Sequence, residues 1–121
     1  MKKLFLFFVV AFLMGACNDF NSPQQGYNTD EYYVKYSIKS KDSYEHFSDI
    51  YYNDEDGVKN AEKGHNVKGW TVTIGPVKKG FMASVRNEKG TGINHIEVSK
   101  NNGPFAEKAN GKNSASYTIN Y

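Results

Sequence analysis

From Glu31 onward, apolar and polar residues alternate, and turn residues interrupt the alternation at intervals of roughly ten residues. A period of two does not suit a helix, whose apolar positions recur three and four residues apart, so the pattern confines this part of the chain to an all-β fold. Tyr32, Val34, Tyr36 and Ile38 share one face of a first strand, with Lys35, Ser37 and Lys39 opposite, ending at Ser40 to Ser43. A second strand runs from Phe47 to Tyr52, with Ile50 and Tyr52 on one face and Phe47, Asp49 and Tyr51 on the other. It breaks at Asn53 to Gly57, and Val58 to Lys63 pairs back as a short edge strand. Trp70, Val72 and Ile74 then alternate with threonines until Gly75-Pro76 stops the run, and Trp70 is the expected core anchor. Val77 to Gly80 connects to a strand carrying Phe81, Ala83 and Val85. Asn87 to Gly92 reads as a turn, Ile93 to Lys100 as a strand, Asn101 to Pro104 as a turn and Phe105 to Ala109 as a short strand. Asn110-Gly111 is the most explicit two-residue hairpin signal, and Ala115, Tyr117, Ile119 and Tyr121 close the chain. Seven or eight short strands without intervening helix predict an antiparallel β-sandwich over residues 31–121, with a small barrel as the alternative.

Ahead of this domain stands MKKLFLFFVVAFLMGAC: two lysines, an apolar run from Leu4 to Met14, two small residues and the only cysteine of the chain. Eleven apolar residues rise about 1.5 Å each as helix, roughly half a bilayer core, so they form a secretion signal and not a membrane span. A lone cysteine has no partner for an internal disulfide. Met14-Gly15-Ala16-Cys17 resembles the lipobox of bacterial lipoproteins. That resemblance implies that residues 1–16 are removed, that Cys17 carries the lipid, and that the mature protein is held on a membrane by its acyl chains. Residues 17–30 are polar, contain Pro23 and Gly26, and read as a flexible tether holding the domain about 20 Å from the bilayer. Acids clustered just after the cysteine direct some such lipoproteins to the cell surface. Here Asp19 stands alone, so the expected location is the outer membrane facing the periplasm, with surface exposure left open.

Loss of the signal also changes the charge. Lys2 and Lys3 leave the 15 basic residues while the 13 acids all remain, so the mature chain carries 13 of each sign. Neutrality removes the electrostatic ground for a nucleic-acid partner. The 105 residues that remain suffice for one small domain whose core must come from apolar and aromatic burial alone.

The chemistry-bearing residues point away from catalysis and metal binding. Asp54-Glu55-Asp56-Gly57 is no EF-hand, because aligning Gly57 with the loop's glycine puts Tyr52 and Lys63 where carboxylates are required. His46, His65 and His95 lack the spacing of a zinc site. His95 and Glu97 share a strand face, yet no nucleophile or Gly-x-Ser-x-Gly elbow accompanies them, so the chain is read as a non-enzyme with no cofactor. A hydrolase would need a pocket uniting His95 and Glu97 with a serine. Nine tyrosines exceed what one small core is expected to use. Tyr32 and Tyr33 point oppositely, as do Tyr51 and Tyr52, so one of each pair faces outward, as a binding ring or merely as a good strand former. These four make the candidate binding surface. Lys35, Lys39, Lys78 and Lys79 equally suit edge strands guarded against aggregation.

The Tyr-x-Val-x-Tyr of residues 32–36, Tyr51-Tyr52-Asn53-Asp54 with Gly57, and the Trp70 strand together resemble the MmpS-type accessory proteins and related small lipoproteins. The resemblance covers roughly residues 31–98 and implies an immunoglobulin-like sandwich and an accessory role beside envelope transport machinery. The expected function is a membrane-anchored module that binds another envelope protein. The alternative is a lipoprotein that binds a glycan or small ligand through exposed tyrosines.

Overall fold

Strand β1 (Tyr32–Ser40) adopts the alternation its residues announce: Tyr32, Val34, Tyr36 and Ile38 are buried, and Tyr33, Lys35, Ser37 and Lys39 face out. Along the computed structural model, which describes residues 29–121, seven further strands follow. They are β2 (Phe47–Asp54), β3 (Gly57–Ala61), β4 (Gly69–Val77), β5 (Met82–Gly90), β6 (Gly92–Lys100), β7 (Ala106–Lys112) and β8 (Ser114–Thr118). They form two four-stranded antiparallel sheets. Sheet A has the order β4-β1-β6-β7 and sheet B the order β3-β2-β5-β8. The expected all-β sandwich is therefore the architecture found. Cys17 and most of the tether lie outside the described residues.

The core is the sum of the inward rows. Val34, Tyr36 and Ile38 of β1 lie beside Ile74, Val72 and Trp70 of β4 and beside Val98, Ile96 and Asn94 of β6. Ile50 of β2 and Ala83 and Val85 of β5 face them from sheet B, and Ile119 closes one end. Trp70 is half-buried. Its ring lies 5.4 Å from that of Tyr52, which lies 5.7 Å from that of Tyr36, so three aromatics from both sheets close one end of the core.

Most connections cross between the sheets, the exceptions being the β2–β3 and β6–β7 hairpins. Taken cyclically from β3, with β1 and β2 last, the strand order is that of a jelly roll. "Immunoglobulin-like" thus describes the two-layer architecture and not the connectivity.

Four local features depart from the simple alternation. Asp49 adopts φ 55°, which breaks the alternation in β2 and lets Phe47 and Ile50, expected on opposite faces, both enter the core. Gly75-Pro76 does not end β4. The strand continues to Val77 over an irregularity between Tyr32 and Val34, because Gly75 at φ 137° has no side chain to strike Tyr33. Residues 87–90 extend β5, and the chain passes between the sheets at Thr91. Asn110-Gly111 makes no hairpin: both lie in β7, opposite His95 and Asn94, and the left-handed turn residue is Asn113 at φ 67°. Asn113 is held there by its surroundings. Its side-chain oxygen accepts from Gly92 N at 3.0 Å and Asn87 Nδ2 at 3.2 Å, and Asn87 Oδ1 accepts from buried Asn94 at 3.0 Å.

Candidate functional site

The two sheets present outer faces of different chemistry, and the four candidate tyrosines divide between core and faces. Tyr32 is fully buried and its hydroxyl donates to a main-chain oxygen of Tyr121. Tyr52 packs between Tyr36 and Trp70. Tyr32 is thus closed off from any partner, and Tyr52 is half-buried with its ring packed against the core. Tyr33 faces out of sheet A and Tyr51 out of sheet B, so the structure separates the two outward rings.

On sheet A, Tyr33 and Phe105 wall a slot of about 290 Å³ whose remaining lining includes Thr73, Ser99 and Asn102. Phe105 lies just before β7 and is 39% exposed, and Lys35 Nζ sits 4.7 Å from the centre of its ring. Lys35 also reaches Glu97 at 3.4 Å. Beyond Lys35 a second depression of about 320 Å³ runs along β1 and β4, lined by Ser37, Lys39, Thr71 and Trp70 among others. β1 lies between β4 and β6, so Lys35 and Lys39 guard no sheet edge, and Lys78 and Lys79 lie in the connection after β4.

Glu97, expected beside His95, is thus engaged by Lys35. His95 instead meets Glu107 of β7, Nδ1 to Oε1 at 2.8 Å, while Asn110 Nδ2 donates to Oε2 at 2.6 Å. The Asn110 amide, and then the His95 bond, hold the Glu107 carboxyl below the usual glutamate range. Ser37 is opposite His95 across the β1–β6 ladder, but no hydrogen bond joins them. Among the described residues no group of three or more His, Cys, Asp or Glu is placed to hold a metal ion. The acidic turn between β2 and β3 is closed on itself, with Asp56 N donating to Asp54 Oδ1 at 2.8 Å and Lys59 at 3.9 Å from Asp54 Oδ2.

The outer side of sheet B is poor in charge, and its exposed Arg86 and Glu88 pair with each other. Tyr51 is flanked by Asn60 and Arg86, and the Arg86 guanidinium lies 4.4 Å from the centre of its ring and 3.2 Å from Glu88. Next to this group Val58 and Met82 are 62% and 66% exposed. The outward neighbours Asn53, Ser84, Ser116 and Thr118 are small and neutral. The sequence reading did not single out Met82 and Arg86, although alternation with Ala83 and Val85 places both on the opposite, outer face. Phe105 carried no such signal, since it precedes its strand.

Comparisons with protein-family models, curated proteins and solved structures find no match for the chain.

Proposed function

We propose that the chain is a non-enzymatic binding module of the cell envelope, anchored by lipid on Cys17, that grips another envelope protein through the outer face of sheet B. The observation that carries this reading is the charge-poor surface around Tyr51, Met82 and Val58, where the Arg86 guanidinium stacks on Tyr51 and is paired with Glu88. Tyrosine, methionine and arginine are enriched in the cores of protein interfaces, whereas lysine, glutamate and aspartate are depleted there. Tyr51 under Arg86 supplies a rigid ring of the kind that dominates binding energy.

A photo-crosslinking amino acid at Met82, expressed in intact cells, should capture one specific envelope protein that the same group at Lys39 does not. Capture of nothing, or the same species from both positions, would overturn the reading. The anchor has its own test: Cys17→Ser should move the protein out of the membrane fraction, and continued recovery there would refute lipidation.

A second reading rests on the Tyr33–Phe105 slot. Two rings bracketing a polar-edged depression suit a sugar ring or another small flat ligand. Titration with oligosaccharides of the cell envelope should shift the NMR signals of Tyr33, Thr73 and Asn102, and Phe105→Ala should abolish those shifts. Shifts that persist in Phe105→Ala would exclude the slot.

A further inference from the structure

A sandwich of two open sheets has four edge strands, each a row of backbone groups able to pair with another chain. Three of the four carry a device that blocks such pairing. β3 has Lys59 at its centre. β4 contains Pro76 and the irregularity opposite Tyr32. β7 carries Glu107, Lys108 and Lys112 and a register shift against β6. β8 has none of these. Its five residues, Ser114, Ala115, Ser116, Tyr117 and Thr118, include no charge and no proline, and its register with β5 is unbroken. β8 pairs with β5 alone, so one side of its backbone has no strand partner among the described residues.

We infer that β8 is the site at which a second copy of this chain adds, antiparallel and two-fold symmetric, joining two B sheets into one eight-stranded sheet. Charge and shape select this occupant. A two-fold pairing centred on Ser116 sets Ser116 against itself, Ser114 against Thr118 and Ala115 against Tyr117. No like charges meet within the paired β8 strands, and the large Tyr117 falls opposite a small residue. The same operation on β3 would oppose Lys59 to Lys59. Five residues a side is far below the roughly 20 to 30 of a standard interface, so the pairing is weak in dilute solution. It becomes effective where a membrane tether raises the local concentration; to that extent it rests on the anchor proposed above. Self-pairing at the edge leaves the outer face of sheet B free and doubles its extent.

Residues directly opposite across an antiparallel pair have Cα atoms about 4.5 or 5.5 Å apart, within disulfide range. The test is therefore Ser116→Cys in the full chain, oxidised in intact cells, with Lys59→Cys as the control edge and the parent chain, whose one cysteine is Cys17, as background. Both substituted side chains are on exposed positions, so both variants keep the fold. The expected result is a disulfide-linked homodimer as the main species for Ser116→Cys and background levels for Lys59→Cys. Neither variant dimerising, or both equally, overturns the inference, and so does a Ser116→Cys adduct with a different protein. Scoring the membrane and soluble fractions separately keeps the two ideas apart. A membrane-bound chain without dimer refutes the pairing alone, and a soluble chain that dimerises at high concentration refutes the anchor alone.

Discussion

Replacing Tyr36 by phenylalanine removes one oxygen atom from the centre of the sandwich and changes nothing else. That oxygen joins the sheets. The β2–β5 ladder runs to Tyr52 opposite Val85, and its next step would bring Asn53 opposite Ser84. There the Tyr36 hydroxyl of sheet A is inserted instead, donating to Asn53 O at 2.7 Å and accepting from Ser84 N at 3.3 Å. Two hydrogen bonds at about 1 kcal/mol net each put the cost of Tyr36→Phe near 2 kcal/mol. For a domain of this size that is a fall in Tm of roughly 8–16 °C. Burial pushes the Tyr36 hydroxyl pKa above its ordinary value, with the Ser84 N–H opposing the shift and nearby Asp54 and Tyr52 adding to it. The folded chain thus keeps this proton at pH values where the unfolded chain, ionising near pH 10, gives it up. The resulting stability is fully present below about pH 10 and is lost as pH rises toward the folded pKa. The parent's advantage over Tyr36→Phe should therefore shrink by about 1 kcal/mol between pH 7 and pH 11. Urea unfolding followed by far-UV circular dichroism at both pH values measures it. A Tyr36→Phe variant within about 0.5 kcal/mol of the parent at pH 7 would show that Asn53 and Ser84 simply close on each other. A gap that does not change with pH would refute the titration argument.

Gly90 at φ 81° and Gly80 at φ 96° form a matched pair, because a Cβ at Gly90 would lie 2.0 Å from His46 O while one at Gly80 meets nothing within 4 Å. Gly80→Ala should cost about 1 kcal/mol of backbone strain, and Gly90→Ala at least about 3 kcal/mol, in the same unfolding assay. In NMR titration the Glu107 carboxyl should ionise below the usual glutamate range and move up toward it in Asn110→Ala, since that amide is the main cause of the shift. Removing residues 119–121 deletes buried Ile119, whose N–H bonds Phe81 O at 3.0 Å and whose carbonyl accepts from Gly80 N at 2.8 Å. The truncation should cost about 3 kcal/mol or more, read as a lower urea midpoint.

The inward rows were the legible part of this fold, because burial and the pleat impose the same period on the residues. Tyr32 to Ile38 and Ala83 to Val85 show it directly. What escaped were the places where tertiary contacts override a local signal. Asn110-Gly111 has the residues of a tight hairpin, yet the turn falls at Asn113, whose carbonyl and side chain are fastened by Asn87 and Gly92 from other strands. Phe47 and Ile50 have the spacing of opposite faces, and only the left-handed Asp49 places both inside. The candidate surface was half legible for the same reason. Alternation told that one ring of each tyrosine pair faces outward, but which sheet each strand joins depends on the crossings between layers, and no local pattern encodes those.

That separation of Tyr33 from Tyr51 has an energetic consequence. The two rings leave opposite faces of a sandwich whose sheets pack about 10 Å apart, so a single small ligand has no means of touching both. Tyr33→Ala and Tyr51→Ala should then act on different binding events. Loss of ligand in the sheet A slot should follow Tyr33→Ala, and loss of the captured envelope protein should follow Tyr51→Ala. For any one of these ligands, the double variant should differ from the sum of the singles by less than about 0.5 kcal/mol, as expected for sites without a shared partner. Both side chains are half-buried on outer faces and away from the core row, so each single variant keeps the fold. A larger coupling energy for one ligand would mean that its contact wraps around an edge of the sandwich. Loss of both ligands in either single variant would mean that the two faces are not independent.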